Sequence, residues 1–426
     1  MIFVRKLTQT NEILRAYCAK VKKFGDQSIA ADQKCRRVTV LVNRWAKNAK
    51  ARRHFEQSAM MLLHLAGLEV NIILATDANQ LEQIASALDE DESDAVYVVG
   101  GDGTLSVVLT GMMNRSSERS RVHLPVGVFP GGFASTAAYA LLPAAAHRSL
   151  VTAQCESVLA LVQDVKRDAT LLRISPNEQA RKYCLSTVHL GAYANANVLR
   201  WKYWYYGPLR HSFSYLWNFD FRKNSVNLMA EYTDACSGCN RCHGGAASID
   251  EDNNTATNAN SDSKHTSWLT WLFGGVSKSK PHNSAATRKD FSQIVNENCG
   301  VHHCRQLNTD DLLVENEVFA TSPSFLIEAG PTCDPNQLTL WRFVDFVTEG
   351  FSRVSANTGA RAASDAFYEW KHSVRSVTLS LLDNSTEQIR LLFADGDRVE
   401  GVQKLQIDAV PAPMKVFSSV DPLLKL

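Results

Sequence analysis

No run of apolar residues in this sequence reaches the ~18–20 residues that a bilayer-spanning helix requires, so anchoring by a spanning helix is not expected. An excess of charge of one sign is also missing. Lys+Arg number 45 against 44 Asp+Glu, which removes the global basic field that would point to nucleic acid. A disulfide framework is lacking: ten cysteines are few for 426 residues. Cys18, Cys35, Cys155, Cys184 and Cys333 stand alone, as free thiols do. No secretory signal is visible. Acids are absent before Glu12, whereas Arg5, Lys6, Arg15, Lys20, Lys22 and Lys23 crowd the start. That composition fits an organelle-targeting segment or an exposed basic helix.

What is present is ordinary globular material, with 45% hydrophobic and 21% charged residues, in a chain too long for one core. Arg37–Asn43 (RVTVLVN), Glu69–Ala75 (EVNIILA), Asp94–Val99 (DAVYVV) and Leu124–Phe129 read as strands, from their β-branched, apolar character. Helical spacing falls between them, at Ala51–Ala66, Ala78–Leu88 and Ala134–Leu142. Alternating strands and helices predict a parallel sheet covered on both faces, with ligands beyond the carboxyl ends of the strands.

From Ala169 the pattern changes to short runs separated by turns: Ala169–Ile174, Tyr183–His189, Asn227–Tyr232, Phe325–Glu328, Val374–Leu382 and Gln388–Phe393. These predict an antiparallel β-sandwich domain. The expected division is 1–33 as an N-terminal helical or targeting segment, 34–168 as an α/β Rossmann-like nucleotide-binding domain, and 169–426 as the β domain. Within the last, about 236–298 turns polar and low in complexity (SIDEDNNTATNANSDSKH) and reads as a disordered insertion. Ser267–Phe273 (SWLTWLF) interrupts it, either as a membrane-interface contact or as a hydrophobic clamp.

The segment that carries chemistry is GGDGT after the third strand. Gly100, Gly101 and Gly103 permit a tight reversal and a close approach of backbone to a ligand. A helix starting near Leu105 would aim free N–H groups and its positive dipole end at the loop, a place to hold phosphate. Asp102 within it suits a hydrogen-bond acceptor, a magnesium-side ligand or a base; a plain glycine-rich turn is the alternative. Pro130-Gly131-Gly132 follows the next strand. Ser135 and Thr136 there serve either as helix caps or as phosphate contacts.

A hydrophobic strand, GGDGT, and a Pro-Gly loop about 25 residues on together resemble the diacylglycerol kinase catalytic domain family, which includes sphingosine, ceramide and bacterial lipid kinases. Leu14–Gln27, Lys202–Arg210 (KYWYYGPLR) and Phe346–Val354 (FVTEGFSRV) resemble its mitochondrial acylglycerol kinase branch; NAD kinase shares GGDG but not KYWY-GPL. The resemblance implies an ATP- and Mg2+-dependent lipid kinase acting on acylglycerols, or on ceramide or sphingosine. It also implies peripheral membrane association at the mitochondrial inner membrane or intermembrane space. A further implied possibility is a largely non-catalytic role beside inner-membrane carrier translocase subunits.

By position, Asn43, Gly100, Gly101, Gly103, Thr104, Gly131, Gly132 and Ser135 match nucleotide contacts. Asp102 and Asp395 match catalytic acids, Asp395 and Asp397 magnesium support, and Tyr193 and Asn195 the lipid side. Asp395-Gly396-Asp397 is also a good turn sequence. The chain departs from the family at Arg44, where a proline is usual, at PGGFAST, and at Asn195, where relatives carry an aspartate.

Two further constellations stand out. CSGCNRCH (Cys236, Cys239, Cys242, His243) has CxxC spacing that suits zinc, or formally haem, with His302, His303 and Cys304 as possible completing ligands. The aromatic run Trp201, Tyr203, Trp204, Tyr205 and Tyr206 fits a lipid-facing surface or internal packing.

Overall fold

The computed structural model describes residues 2–28, 34–46, 50–114, 124–132, 135–142, 149–176, 180–219, 226–244, 294–320, 322–331, 339–356, 362, 364–382, 392–395, 397–399 and 403–419. Ser267–Phe273 and Gly396 lie outside them. The chain divides into two compact units, 236–300 and the remainder.

The larger unit begins with helix α1, Ile2–Gly25, whose inner side buries Ile13, Tyr17 and Val21. Strands β1 (Arg37–Asn43), β2 (Glu69–Ala75), β3 (Ala95–Gly100) and β4 (Val126–Pro130) are mutually parallel in the order β4-β3-β1-β2. Helices α2 (Lys50–Ser58) and α3 (Met60–Leu65) divide the helix expected over 51–66. Helices α4 (Ala78–Ala87), α5 (Asp102–Met113), α6 (Thr136–Leu141) and α7 (Leu150–Val162) complete the layers. Successive β1 and β3 residues point to opposite faces. Val40, Val42, Tyr97 and Val99 join α1, α2, α3 and α7 in one core, whereas Leu41, Val96 and Val98 join α4 and α5 in another. Strands buried on both faces read as continuous apolar runs, which is why they were recognisable.

The antiparallel region contains β5 (Lys166–Pro176), β6 (Lys182–Cys184), β7 (Thr187–Gly191), β8 (Val226–Asp234), β9 (His302–Thr309), β10 (Asp311–Asn316), β11 (Phe325–Ala329), β12 (Trp370–Leu381), β13 (Leu392–Ala394), β14 (Asp397–Val399) and β15 (Lys404–Phe417). Its core is a third cluster including Leu228, Val314, Phe325, Ile327, Val377 and Ile407. β15 joins the two halves. Its first part pairs β12, and Val416 pairs Val126 of β4 in parallel. β5 runs beside it with an irregularity between Val410 and Met414. Pro411 and Pro413 lie there, and a proline cannot donate a ladder hydrogen bond. The chain is thus α/β, with a parallel N-terminal sheet continued into antiparallel strands.

Three more helical segments cover the antiparallel strands: α8 (Ala192–Leu199), a 3-10 run over Arg200–Leu209 leading into α9 (Arg210–Trp217), and α11 (Thr339–Ala356). Between α9 and α11 in sequence comes α10 (Asn240–Gly244), in the smaller unit. No helix among the described residues is long and apolar enough to cross a membrane.

Candidate active site

The glycine loop ends β3 and turns straight into α5, which starts at Asp102 rather than near Leu105. Gly101 is its N-cap residue, so the first-turn amides of Asp102, Gly103 and Thr104 have no partner within the helix. A Cβ on Gly100 would stand 2.5 Å from the Thr104 side chain. Glycine here lets the first turn of α5 fold back over the strand end. Asn43, at the tip of β1, then donates from Nδ2 to Thr104 Oγ1 at 3.0 Å, while its Oδ1 accepts the Trp45 N–H at 3.0 Å. The second loop is tied to the first, since Gly131 N–H donates to the Gly100 carbonyl at 3.0 Å. Gly132 is half-buried beside it.

Asp102 is buried and turns toward the second loop. Its Oδ2 accepts the Thr136 N–H at 2.7 Å and its Oδ1 the Ala137 N–H at 3.1 Å. Asp102 therefore caps α6. Ser135 occupies the N-cap position of that helix but makes no side-chain capping bond, so the cap expected from Ser135 comes from an acid 33 residues earlier in the numbering.

Asp395 lies at the β13–β14 turn, with φ of 48°, an unusual backbone conformation for a residue other than glycine. Its Oδ2 accepts Leu185 N–H at 2.8 Å, and its Oδ1 accepts Ser186 N–H at 3.2 Å and Thr187 N–H at 2.8 Å. The Ser186 hydroxyl donates to the same Oδ1. Two carboxylate oxygens offer about four acceptor sites, and the β6–β7 turn takes them up. The turn also holds the Asp395 backbone through the Thr187 carbonyl, 2.8 Å away. Asp397 begins β14; its side chain lies outside the described residues.

Polar residues of α5 bring the two acids together. Ser106 Oγ donates to the Tyr183 carbonyl at 2.8 Å, and Tyr183 N–H donates to Thr110 Oγ1 at 3.0 Å. β6 is thereby fixed along α5, and the turn that follows grips the Asp395 carboxylate. Asn316 fastens the same corner, donating from Nδ2 to the Thr170 and Leu185 carbonyls at 2.7 Å each. Burial, followed by the charge of Asp395, pushes Asp102 up to about 7 against the opposing pull of its two amide bonds. Burial also raises Asp395, opposed by Ser186 and the turn amides.

A second buried charge group lies under α11. Asp311 receives Arg353 Nη2 at 2.8 Å on one oxygen and contacts His189 Nε2 with the other. Arg353 Nε reaches Glu349 at 3.0 Å, and its guanidinium lies 4.0 Å from the centre of the Tyr193 ring. Burial disfavours the Asp311 charge, yet Arg353 and His189 outweigh it and hold the carboxyl below its usual range. Tyr193, expected at the lipid side, is buried against Phe346 with ring centres 4.5 Å apart; it supports Arg353 from within the core. Asn195 is half-buried on α8. Sequence reasoning missed Ser186, His189, Asp311 and Arg353. The FVTEGFSRV stretch contained the last of these, and the one signal for it is an arginine on the otherwise apolar side of a helix.

The aromatic run divides. Tyr203 is buried, and Tyr206 stacks on Phe213 at 3.9 Å. Trp204 and Tyr205 are exposed, as are Leu209 and Trp217, and on α11 Leu340 and Trp341.

Residues 37–173 match the diacylglycerol kinase catalytic domain, the span that carries Asn43, both glycine loops and Asp102. An uncharacterized protein of Caenorhabditis elegans, F52C9.3, is 28% identical over 377 residues, covering 87% of this chain and 80% of its own. The mitochondrial acylglycerol kinase of Mus musculus is 30% identical over 210 residues, 48% of this chain and 49% of that one. The chain thus matches about half the length of that kinase. A crystal structure of a putative diacylglycerol kinase from Bacillus anthracis shares the fold, with a TM-score of 0.50 at 9% identity over 91% of this chain and 99% of that one. The family model and the named kinase relative both point to the lipid kinases.

Proposed function

We infer that the chain transfers the terminal phosphoryl group of ATP to the hydroxyl of an acylglycerol. The observation that carries this reading is Asp102: a buried carboxyl raised to about 7 at the N-terminus of α5, where it also caps α6. A base poised near neutrality beside unpartnered helix amides suits a hydroxyl acceptor and a phosphate donor. The acceptor oxygen forms a bond to the terminal phosphorus, the bond from that phosphorus to the ADP oxygen breaks, and the hydroxyl proton passes to Asp102. The first-turn amides of α5 hold the donor phosphates, and Asn43 keeps Thr104 in place. A carboxylate is a hard oxygen donor of the kind magnesium takes, and Asp397, assigned to magnesium support by the family resemblance, would help to hold Mg2+, which would neutralise charge on the transferring phosphates. Asp395 has spent its acceptors on the β6–β7 turn; its part is to position that turn and to raise Asp102.

The preference for an acylglycerol over ceramide or sphingosine is supported by KYWYYGPLR and by the name of the 30%-identical relative; that name likewise supports a mitochondrial location. The exposed Trp204, Tyr205, Trp217 and Trp341 support peripheral docking on the membrane that holds the acceptor, since such rings favour the interface. Purified protein, MgATP and vesicles containing monoacylglycerol, diacylglycerol, ceramide or sphingosine test the reading. Labelled phosphate should enter the acylglycerols first. Labelling of ceramide alone would move the substrate assignment, and labelling of no lipid would end the kinase reading.

A further inference from the structure

The smaller unit contains a cluster with no part in phosphoryl transfer. Cys236 follows β8, Cys239 comes three residues on, Cys242 lies in α10, and Cys299 ends a turn far along the chain. Their four Sγ atoms all lie within 4.8 Å of one another, and all four are free cysteines. Zinc–sulfur bonds of about 2.3 Å in a tetrahedron give sulfur–sulfur edges of roughly 3.8 Å, which fits inside that limit.

The surroundings are built for the sulfurs. Gly238 adopts φ of 120° between the first two cysteines and Gly300 φ of 82° after the last, conformations that glycine adopts freely. Cys239 N–H donates to Cys242 Sγ at 3.1 Å, and Asn296 Nδ2 donates to Cys236 Sγ at 3.3 Å. Donors aimed at sulfur stabilise bound thiolates. Backbone ties align the two arms: Asn240 N–H to the Ile294 carbonyl at 2.9 Å, Arg241 Nη1 to the Glu297 carbonyl at 3.1 Å, and Cys299 N–H to the Asn296 carbonyl at 3.2 Å.

We propose that Cys236, Cys239, Cys242 and Cys299 form a tetrathiolate zinc site that clamps the two ends of the 236–300 insertion. Four soft ligands in a closed tetrahedron select zinc over the hard cations, and with no open position the site is structural. His302, His303 and Cys304, the completing ligands expected from sequence, belong to β9, where His303 pairs Asp234 at 3.2 Å. The true fourth ligand is Cys299. The site holds together the ends of a long loop, whose closure costs chain entropy, so metal and local order go together.

The full chain, purified without added metal or chelator, should contain about one zinc per molecule by elemental analysis. Mercurial titration of its thiols should release that zinc, read by a chromogenic chelator. Cys239→Ser and Cys299→Ser should each lose the metal, while Cys304→Ser keeps it. Cobalt exchange should give the visible d–d bands of a tetrahedral thiolate site. Because a serine variant can fail to fold, zinc removal from the unmodified chain is followed by limited proteolysis, with new cuts expected inside 236–300. Four titratable thiols with no metal, two disulfides, or an iron chromophore would each overturn the proposal.

Discussion

Two buried carboxylate sites in this molecule have opposite electrostatic characters. Asp311 is buried beside Arg353 and His189, and its acidity is enhanced. Asp102 and Asp395 are buried near each other, with hydrogen-bond donors but no cation as a partner among the described residues, and burial together with mutual repulsion raises Asp102. Ionised groups out of water need a partner. The first site has its partner in the chain and functions as a strut between β10 and α11. The second lacks one among the described residues, which is the property expected of a place that receives a proton or a cation. Under the proposed function the same residue type does structural work in one place and chemical work in the other, and the balance of charge separates them.

The largest effect should come from removing the chemical acid. Asp102→Asn should lower lipid phosphorylation by about 10²–10⁴-fold, the usual worth of a positioned general base. An amide offers only one acceptor oxygen to the two α6 amides, so stability should fall as well, by about 1–3 kcal/mol. Circular dichroism separates the two losses. A folded variant with full turnover would break the contrast at its chemical end.

The structural site should respond in the reverse way. Arg353→Met leaves Asp311 with an uncompensated buried charge and should cost about 3–5 kcal/mol of stability, read by denaturant unfolding. Turnover per folded molecule should change little. A variant of unchanged stability, or one that folds normally yet is inactive, would show that the Arg353 group is not a strut.

The pH dependence sharpens the comparison further. With Asp102 up at about 7, kcat/KM should rise as pH increases through about 7 and then level off, because the base is the ionised form. Stability carries the opposite sign. A carboxyl whose folded pKa lies above its unfolded value favours the folded state while protonated, so this contribution is full below 3.8 and is lost as pH climbs toward 7. Asp395→Asn removes one of the two causes of the raised pKa, and the acid limb should move to lower pH without reaching the ordinary carboxylate range, since burial remains. An unmoved limb would separate the two acids.

How much of this was legible in sequence follows from the range of each interaction. β1, β3 and GGDGT are local patterns, so their positions were read to within a residue or so. The start of α5 was set three residues late because Gly103 reads as loop, although its place in a first helical turn costs little. β15 was missed: Pro411 and Pro413 break its pattern, and the strand tolerates them at an irregularity. The Asp395 turn, the Asp311–Arg353 pair and Cys299 depend on residues brought together from far along the chain. A single sequence marks Asp395, Arg353 and Cys299 as present without naming their partners. CxxC spacing exposed three of the four clustered cysteines, and Cys299 was not singled out because proximity in sequence, at His243 and His302–Cys304, stood in for proximity in space.

The smallest expected effect concerns the outer surface, where the aromatic run shows a contrast of its own. Tyr203 and Tyr206 pack inward, whereas Trp204 is 72% exposed and Trp341, on α11, is 59% exposed. If the inner pair serves the fold and the outer pair serves the membrane, Trp204→Ala combined with Trp341→Ala should leave the melting temperature unchanged. Vesicle binding should weaken by about 1 kcal/mol for each ring only partly inserted, roughly tenfold to thirtyfold together. Turnover on a detergent-dispersed acylglycerol should be untouched, because neither ring touches Asp102. Equal binding by the double variant would assign these tryptophans to another partner, and a fall in melting temperature would return them to packing.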